Sequence, residues 1–248
     1  MDRHLGQIGK GRIRALTVLV FLALSLRAET CVFPQSPGAE RADLIRTLAG
    51  LGINDAGVLA AIGRVPREVF IEEPLRKDAY EDVPLPIGEG QTISQPFVVA
   101  LMTQALGLVG RERVLEVGTG SGYQTAVLAQ MVKTVYTVEI REALARKAWA
   151  RLTGLGYRNV HARVGDGYEG WPLYAPFDAI MVTASAREIP KPLFDQLAEG
   201  GRLIMPVGED PRQQDLTLVT KIGGKLRVSV LAEVAFVRMT GKAETATH

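Results

Sequence analysis

Three carboxylates follow one another in the middle of the chain, each near the end of a short run rich in β-branched residues. Glu116 lies in the run 113–117, Glu139 ends the run 134–139, and Asp166 follows the run 159–164. Parallel strands bring their carboxyl ends to the same edge of a sheet, which is where open α/β sheets bind ligands. One such acid alone would more simply be a solvated loop residue or a helix cap. Three in this order predict a shared binding site.

A glycine-rich turn joins the first of these runs to an apolar helical pattern at about 123–132. Gly118, Gly120 and Gly122 are spaced G-x-G-x-G, unlike the G-x-G-x-x-G of dinucleotide enzymes. Glycine permits backbone conformations and close approaches that a Cβ forbids, and the first N–H groups of the following helix have no partner within the helix. Glu139, placed at the end of the second strand, can accept both hydroxyls of a ribose. The pattern therefore predicts a site for a nucleotide-containing cofactor.

The elements that must position this site alternate between helix and strand. Ahead of the turn we predict helices at about 41–48 and 55–63, the second with Asn54 as its N-cap, a loop rich in proline and glycine at 83–95, and a helix from Pro96 to about 106. Beyond the turn we predict a helix at about 141–155, strands at 177–183 and 201–207, and two or three strands within 215–239, with a turn at Gly223-Gly224.

This order of elements predicts an α/β fold. We expect a doubly wound, mostly parallel, Rossmann-like sheet with an N-terminal helical extension and a C-terminal β addition. At 248 residues the chain is long enough for one such domain. We place the domain at 39–242, after a segment at 1–38 that resembles a secretory signal or a short anchor.

The charge balance argues against nucleic acid as a partner. The whole chain carries 29 basic and 27 acidic residues, but residues 1–27 hold five of the basic ones and one acid. The remainder has 24 basic and 26 acidic side chains, a net charge of −2, so it lacks the basic excess of a nucleic-acid binder. One cysteine, Cys31, and three scattered histidines predict neither an internal disulfide nor a metal site.

Several segments together resemble the protein-L-isoaspartate O-methyltransferase family. They are PIGEGQTISQP at 86–96, the glycine turn at 116–122, VGDG at 164–167, FDAI at 177–180 and LAEGGRLIMPVG at 197–208. The resemblance covers roughly residues 41–239. The glycine turn is shared with most class I S-adenosylmethionine enzymes, whereas the QTIS segment ahead of the first strand of the sheet is much more specific to this family.

The resemblance implies that S-adenosyl-L-methionine methylates the α-carboxylate of L-isoaspartyl residues in damaged proteins and peptides, which initiates their repair to aspartyl residues. It implies these cofactor-binding residues: Thr92, Glu116, Gly118, Thr119, Gly120, Ser121, Gly122, Glu139, Asp166 and Gly167. It implies Ser94 as the catalytic residue, and Thr92, Ser94, Val207 and Gly208 for the substrate. Val98 and Val99 stand where some members of the family have a histidine that contacts the cofactor.

The chemistry is consistent with so few catalytic groups. An α-carboxyl group has an ordinary pKa of about 3.3–3.7, so this nucleophile is ionised at neutral pH and needs no general base. The carboxylate and sulfonium charges both diminish during methyl transfer, so a neutral hydroxyl such as that of Ser94 can orient the carboxylate without over-stabilising the ground state. Ser94 could instead be the N-cap of the helix that begins at Pro96, and both roles could hold.

The N-terminal segment bears on location. A basic stretch precedes twelve apolar or small residues at 15–26, which is the form of a secretory signal and is too short to span a bilayer. We nevertheless expect a cytoplasmic protein, because the cofactor is made and kept in the cytosol. We also expect a monomer without a stable membrane partner.

Three other functions remain as alternatives, and each predicts a different sequence feature. A class I methyltransferase for a small-molecule carboxylate or hydroxyl would keep the glycine turn but has no reason to keep Gln91–Ser94. A nicotinamide-dependent dehydrogenase would have the G-x-G-x-x-G spacing, whereas this turn has G-x-G-x-G. A membrane-anchored binding protein without catalysis would have lost the QTIS segment, which is intact.

Overall fold

A seven-stranded sheet forms the centre of the computed structural model, which describes residues 38–245. Its strands are β3 (Arg113–Val117), β4 (Thr134–Glu139), β5 (Val160–Val164), β6 (Phe177–Val182), β7 (Leu197–Asp210), β8 (Gln213–Ile222) and β9 (Lys225–Val234). They lie in the order β5-β4-β3-β6-β7-β8-β9. The first five are mutually parallel, and β8 and β9 are added as antiparallel hairpin strands. The predicted fold class, including the C-terminal β addition, is confirmed.

Seven α-helices accompany the sheet within the described residues. They are α1 (Ala39–Gly50), α2 (Ala56–Arg64), α3 (Pro96–Leu106), α4 (Tyr123–Ala129), α5 (Glu142–Gly154), α6 (Lys191–Asp195) and α7 (Lys242–Thr245). Residues of α1 to α5 pack into one core cluster on one face of the sheet, whereas α6 packs into a second cluster on the other face. Alternate residues of β3 enter the two clusters, since Val114 belongs to the first and Leu115 to the second. Both faces of the parallel strands are therefore buried, as their nearly continuous apolar composition requires.

The region before the sheet differs from the prediction in two places. Residues 83–95 are not simply a loop, because they contain an antiparallel hairpin of β1 (Leu85–Gly88) and β2 (Gln91–Ile93). The N-cap of α2 is Asp55 and not Asn54. The Asp55 carboxylate accepts hydrogen bonds from the Gly57 and Val58 amides at 2.8 and 3.1 Å, which leaves Asn54 one residue outside the helix.

Smaller differences concern the lengths of elements. Helix α4 ends at Ala129 instead of 132, and β7 begins at Leu197, ahead of the predicted start at 201. The turn at Gly223-Gly224 lies where it was predicted, between β8 and β9. Within residues 38–245 no helix combines the length and apolar character needed to cross a membrane. The predicted signal-like segment, with Cys31, lies outside the described residues except for Gly38.

Candidate active site

The glycine turn lies directly against the end of the neighbouring strand β6. Gly118 has a φ of 95°, and a Cβ added there would lie 2.3 Å from Thr183 Oγ1. Thr183 uses this closeness, because its hydroxyl donates to the Gly118 carbonyl oxygen at 2.8 Å. The position therefore requires glycine for two separate reasons, its left-handed backbone and the contact with Thr183.

Glu139 connects the glycine turn to the end of β4. One carboxylate oxygen accepts the Gly120 amide at 2.8 Å, and the other accepts the Arg141 amide at 3.0 Å. Each carboxylate oxygen can accept a further hydrogen bond. Because Glu139 also lines a cavity at this edge of the sheet, it retains the capacity to accept ligand hydroxyls there.

Glu116 lies beneath the turn and not in the cavity. Its side chain is fully buried, and one carboxylate oxygen accepts the hydroxyls of Thr125 and Thr137 at 2.5 and 2.6 Å. The Thr137 hydroxyl is in turn 2.6 Å from that of Thr119 in the turn. Burial raises the pKa of Glu116 to about 8, although the two threonine hydrogen bonds act in the opposite direction. This chain of hydroxyls connects the glycine turn to β3 and β4.

Asp166 acts as a cap. Its Oδ1 accepts the Tyr168 amide at 2.9 Å, and its Oδ2 accepts the Lys242 amide at 2.8 Å. The adjacent Gly167 lines the cavity, and a Cβ there would lie 2.3 Å from a methyl carbon of Val117. The helix-cap interpretation of Asp166 therefore describes its contacts, while the cavity wall is formed by its neighbour.

Two adjoining cavities meet at this edge of the sheet. The cofactor-side cavity is lined by residues that include Gly118, Gly120, Glu139, Ile140, Gly167 and Met239. The Ser94-side cavity measures about 600 Å³ and is lined by residues that include Ser94, Val98, Leu101, Arg212, Glu233 and Phe236. Thr92, Thr183 and Val237 line both. Ligands in the two cavities would therefore be neighbours, separated by no more than these three residues.

Ser94 is not the N-cap of α3. The capping position is Gln95, and the Phe97 amide donates instead to Asp82 Oδ1 at 2.7 Å. The other oxygen of Asp82 accepts the Gln95 side-chain amide at 2.9 Å. Asp82, 15 residues before Phe97, therefore supplies the cap, and Ser94 lines the larger cavity.

Val207 and Gly208 are not among the residues that line the Ser94-side cavity. Val207 pairs with Asp215 on β8, and Gly208 lines a separate cavity of about 200 Å³ together with Ser185 and Arg187. The Gly208 amide donates to the Ala186 carbonyl oxygen at 2.9 Å. The structure thus does not bring these two residues into the lining of the Ser94-side cavity.

Other lining residues were not singled out from the sequence. Thr183 ends the run predicted as the fourth strand, and the rule that ligands bind at the carboxyl ends of strands could have found it. Arg212 lies in the turn between β7 and β8, Glu233 on β9 and Val237 after it, where no local signal marks a binding role. Of the two valines at the family's histidine positions, Val98 lines the Ser94-side cavity and Val99 is buried in the core.

Metal binding has no support in the part of the chain that the structure describes, where no three His, Cys, Asp or Glu side chains form a metal-binding group. His161 belongs to a cluster of aromatic rings and stacks on Tyr136 with ring centroids 5.1 Å apart. It therefore has a packing contact away from the two cavities.

The parallel sheet, the glycine turn after its central strand and the carboxylate ending the next strand together define the class I S-adenosylmethionine-dependent methyltransferase fold. Within that class, the sequence model for protein-L-isoaspartate(D-aspartate) O-methyltransferase matches residues 39–244. The chain belongs to this family.

Similar proteins cover nearly the whole chain. It is 49% identical to protein-L-isoaspartate O-methyltransferase 2 of Shewanella sediminis, over 95% of this chain and 97% of the relative. It is 50% identical to the protein-L-isoaspartate O-methyltransferase of Opitutus terrae, over 92% and 98%. Among solved structures, a Plasmodium falciparum protein of the family in complex with S-adenosyl-L-homocysteine has a TM-score of 0.71 at 30% identity, covering 81% of this chain and 98% of that one.

Proposed function

We propose that this enzyme methylates the α-carboxylate of L-isoaspartyl residues in damaged proteins and peptides, with S-adenosyl-L-methionine as the methyl donor. Membership of the family supports this activity. The observation that carries it in the structure is the pair of adjoining cavities that share Thr92 and Thr183. One cavity has the donors and acceptors for a nucleoside, and the other contains Ser94 and is large enough for part of a peptide.

The residues that line the cofactor-side cavity suit S-adenosyl-L-methionine, which supplies an electrophilic methyl group on a sulfonium sulfur. The two oxygens of Glu139 retain lone pairs for ribose hydroxyls, and Val138 and Ile140 offer apolar contacts beside them. Gly118 and Gly167 keep the cavity wall free of side chains where a Cβ would not fit. We assign direct contacts to residues of this lining, including Thr92 and Gly120.

The remaining cofactor residues implied by the family act, in our proposal, by shaping the turn. Glu116 and Thr119 belong to the hydroxyl chain beneath it. The Ser121 hydroxyl accepts the Tyr123 amide at 3.3 Å, and Asp166 caps the turn that contains Gly167. A Cβ at Gly122 would lie 3.3 Å from a methyl carbon of Leu152, so Gly122 allows α5 to pack closely against the turn.

Ser94 orients the substrate carboxylate in this proposal. The carboxylate is ionised at neutral pH and requires no proton acceptor, which agrees with a Ser94-side cavity that has no histidine among its lining residues. The Ser94 hydroxyl can donate one hydrogen bond to the carboxylate and hold it for in-line attack on the methyl carbon. We place substrate contacts at Thr92 and Ser94 and propose that Val207 and Gly208 act indirectly, through the neighbouring strands.

Methyl transfer to a matched pair of peptides tests the function. One peptide contains L-isoaspartate and the other contains L-aspartate at the same position, and the donor carries a labelled methyl group. We expect base-labile label on the isoaspartyl peptide only. Equal labelling of both peptides would refute the proposal that the isoaspartyl residue is the substrate. If small carboxylic acids were labelled in preference to either peptide, the result would favour a small-molecule methyltransferase. A cytosolic, monomeric enzyme remains part of the proposal and is tested by cell fractionation and sedimentation.

A further inference from the structure

Arg67 is a buried cation behind the candidate active site. It begins a short 3-10 helix at Arg67–Phe70, and none of its side chain is exposed. Its Nε and Nη1 have no hydrogen-bond partner among the described residues. Burial lowers the pKa of Arg67, while Tyr123 and Asp82 oppose this effect. Because arginine remains charged in proteins, a buried guanidinium with unpaired N–H groups costs folding free energy. A contribution to stability alone therefore does not explain why an arginine occupies position 67.

A hydrogen bond from this guanidinium reaches the Ser94 backbone. Arg67 Nη2 donates to the Ser94 carbonyl oxygen at 2.8 Å. Three residues further along, Asp82 holds the Phe97 amide at 2.7 Å. Charged groups thus bind the backbone of segment 94–97 at both of its ends, Arg67 at the Ser94 carbonyl oxygen and Asp82 at the Phe97 amide. Hydrogen bonds that involve a charged partner are about twice as strong as neutral ones.

The same guanidinium packs on the helix that follows the glycine turn. Its Cζ lies 4.7 Å from the centroid of the Tyr123 ring, within the range of a cation–π interaction. Tyr123 comes directly after Gly122 and is itself held edge-on by Phe70, with ring centroids 5.6 Å apart. Arg67 therefore contacts both the segment of the proposed catalytic serine and the first residue of the cofactor-side helix.

We infer that Arg67 is a positioning residue that sets the placement of Ser94 relative to the glycine turn. The inference rests on the proposed function, because it assigns Ser94 the role of orienting the carboxylate. Arg67 touches neither ligand cavity. Its effect on the reaction must therefore pass through the position of the Ser94 backbone, and misplacing a reacting group by about 1 Å can cost a hundredfold in rate.

Arg41 provides a matched control. It is also buried, its Nε donates to the Tyr80 hydroxyl at 2.8 Å, its Nη2 donates to Glu68 at 3.1 Å, and its Cζ lies 5.4 Å from the Tyr80 ring. It has no contact with Ser94 or the glycine turn among these interactions. Arg41→Met thus removes a buried, ring-stacked guanidinium without touching the site.

The experiment compares Arg67→Met, Arg67→Lys and Arg41→Met with the parent enzyme. For each protein, calorimetry with S-adenosyl-L-homocysteine gives Kd and the folded fraction, and peptide methylation gives kcat and KM per folded molecule. We expect Arg67→Met to lower kcat at least about tenfold with Kd within about threefold of the parent. Lysine can still donate to the Ser94 carbonyl, so Arg67→Lys should recover part of the rate. Arg41→Met should keep kcat within about twofold, because only its stability changes.

A double variant separates positioning from general structure. In a Ser94→Gly protein the hydroxyl to be positioned is absent, so adding Arg67→Met should lower kcat by less than about twofold. The inference would be overturned if the kcat losses of Ser94→Gly and Arg67→Met multiplied in the double variant. It would also be overturned if Arg67→Met and Arg41→Met lowered kcat equally. If both Arg67 variants fail to bind the cofactor product while Arg41→Met binds it, Arg67 is a folding determinant and the inference is likewise rejected. An inactive parent would instead refute the proposed function, on which the inference depends.

Discussion

Replacing the buried carboxyl of Glu116 by an amide should change how stability depends on pH. Glu116 is fully buried and accepts the Thr125 and Thr137 hydroxyls on one oxygen, while the other has no partner among the described residues. Burial raises its pKa from the ordinary 4.5 to about 8. Glu116→Gln has nearly the same shape, still offers an oxygen to both threonines and carries no titratable group. It therefore isolates the contribution of the charge.

The sign follows from the direction of the pKa shift. Between pH 4.5 and 8 the folded protein holds a proton on Glu116 that the unfolded chain releases, so its contribution to stability is full below pH 4.5 and is lost as the pH rises. The loss is about 1.4 kcal/mol per pH unit for one proton, or at most about 5 kcal/mol over this interval. The glutamine variant lacks this loss. Its stability relative to the parent should therefore increase steadily from pH 5 to pH 8.

Denaturant unfolding of both proteins at several pH values measures this difference. Groups that do not interact with Glu116 titrate equally in parent and variant, so the difference between their free energies of unfolding reports Glu116 together with its interaction with Glu139. Glu81→Gln is a suitable control, because Glu81 is exposed and surface substitutions usually change stability by no more than about 0.5 kcal/mol. Free-energy curves for parent and Glu116→Gln that stay parallel from pH 5 to pH 8 would show that Glu116 ionises as easily in the folded protein as in the unfolded chain.

Three further predictions concern ligand binding, catalysis and the N-terminal segment. Glu139→Ala should raise the Kd for S-adenosyl-L-methionine at least about tenfold, because hydrogen bonds to a charged group are worth about 1.5–3 kcal/mol each; unchanged affinity in calorimetry would exclude the ribose role. Ser94→Gly should lower kcat while the melting temperature falls little, since Asp82 and not Ser94 caps α3; methylation at the parent rate would make Ser94 a structural residue. A protein that begins at residue 39 should fold and methylate like the full chain, and loss of solubility or activity would contradict the predicted domain boundary.

The sequence was sufficient to predict the fold and the edge of the sheet at which the two cavities lie. Strand ends and glycine spacing are local features, and parallel pairing brings them together without further information. The face of β3 on which the Glu116 side chain lies could not be predicted from such local features. Both faces of β3 are buried, so its residues show no alternation of apolar and polar positions that would indicate which face a carboxylate occupies.

Contacts between distant residues account for the other differences. The pattern of Ser94 two residues before Pro96 favours a local cap, but Asp82 and Arg67 reach this segment from 15 and 27 residues away. Asp166 shows the reverse case, because the pattern of three carboxylates favours a binding role over a local cap, whereas its side chain caps the turn that follows it. Local patterns indicate what a side chain can do, and the fold decides which of those options is taken.

Two buried ionisable groups lie next to the glycine turn, and both carry a cost in stability. Glu116 lies beneath the turn at the end of β3, and Arg67 lies behind Tyr123, the first residue after it. An apolar side chain at either position would avoid burying an ionisable group. Proteins tend to break such rules where function requires it. If that applies here, Glu116→Gln should gain stability at pH 8 without a matching gain in methylation rate, and Arg67→Met should lose rate out of proportion to any loss of stability. Variants at the control positions Glu81 and Arg41 should show neither a stability gain at pH 8 nor a loss of rate beyond their loss of stability, because their side chains contact no part of the turn.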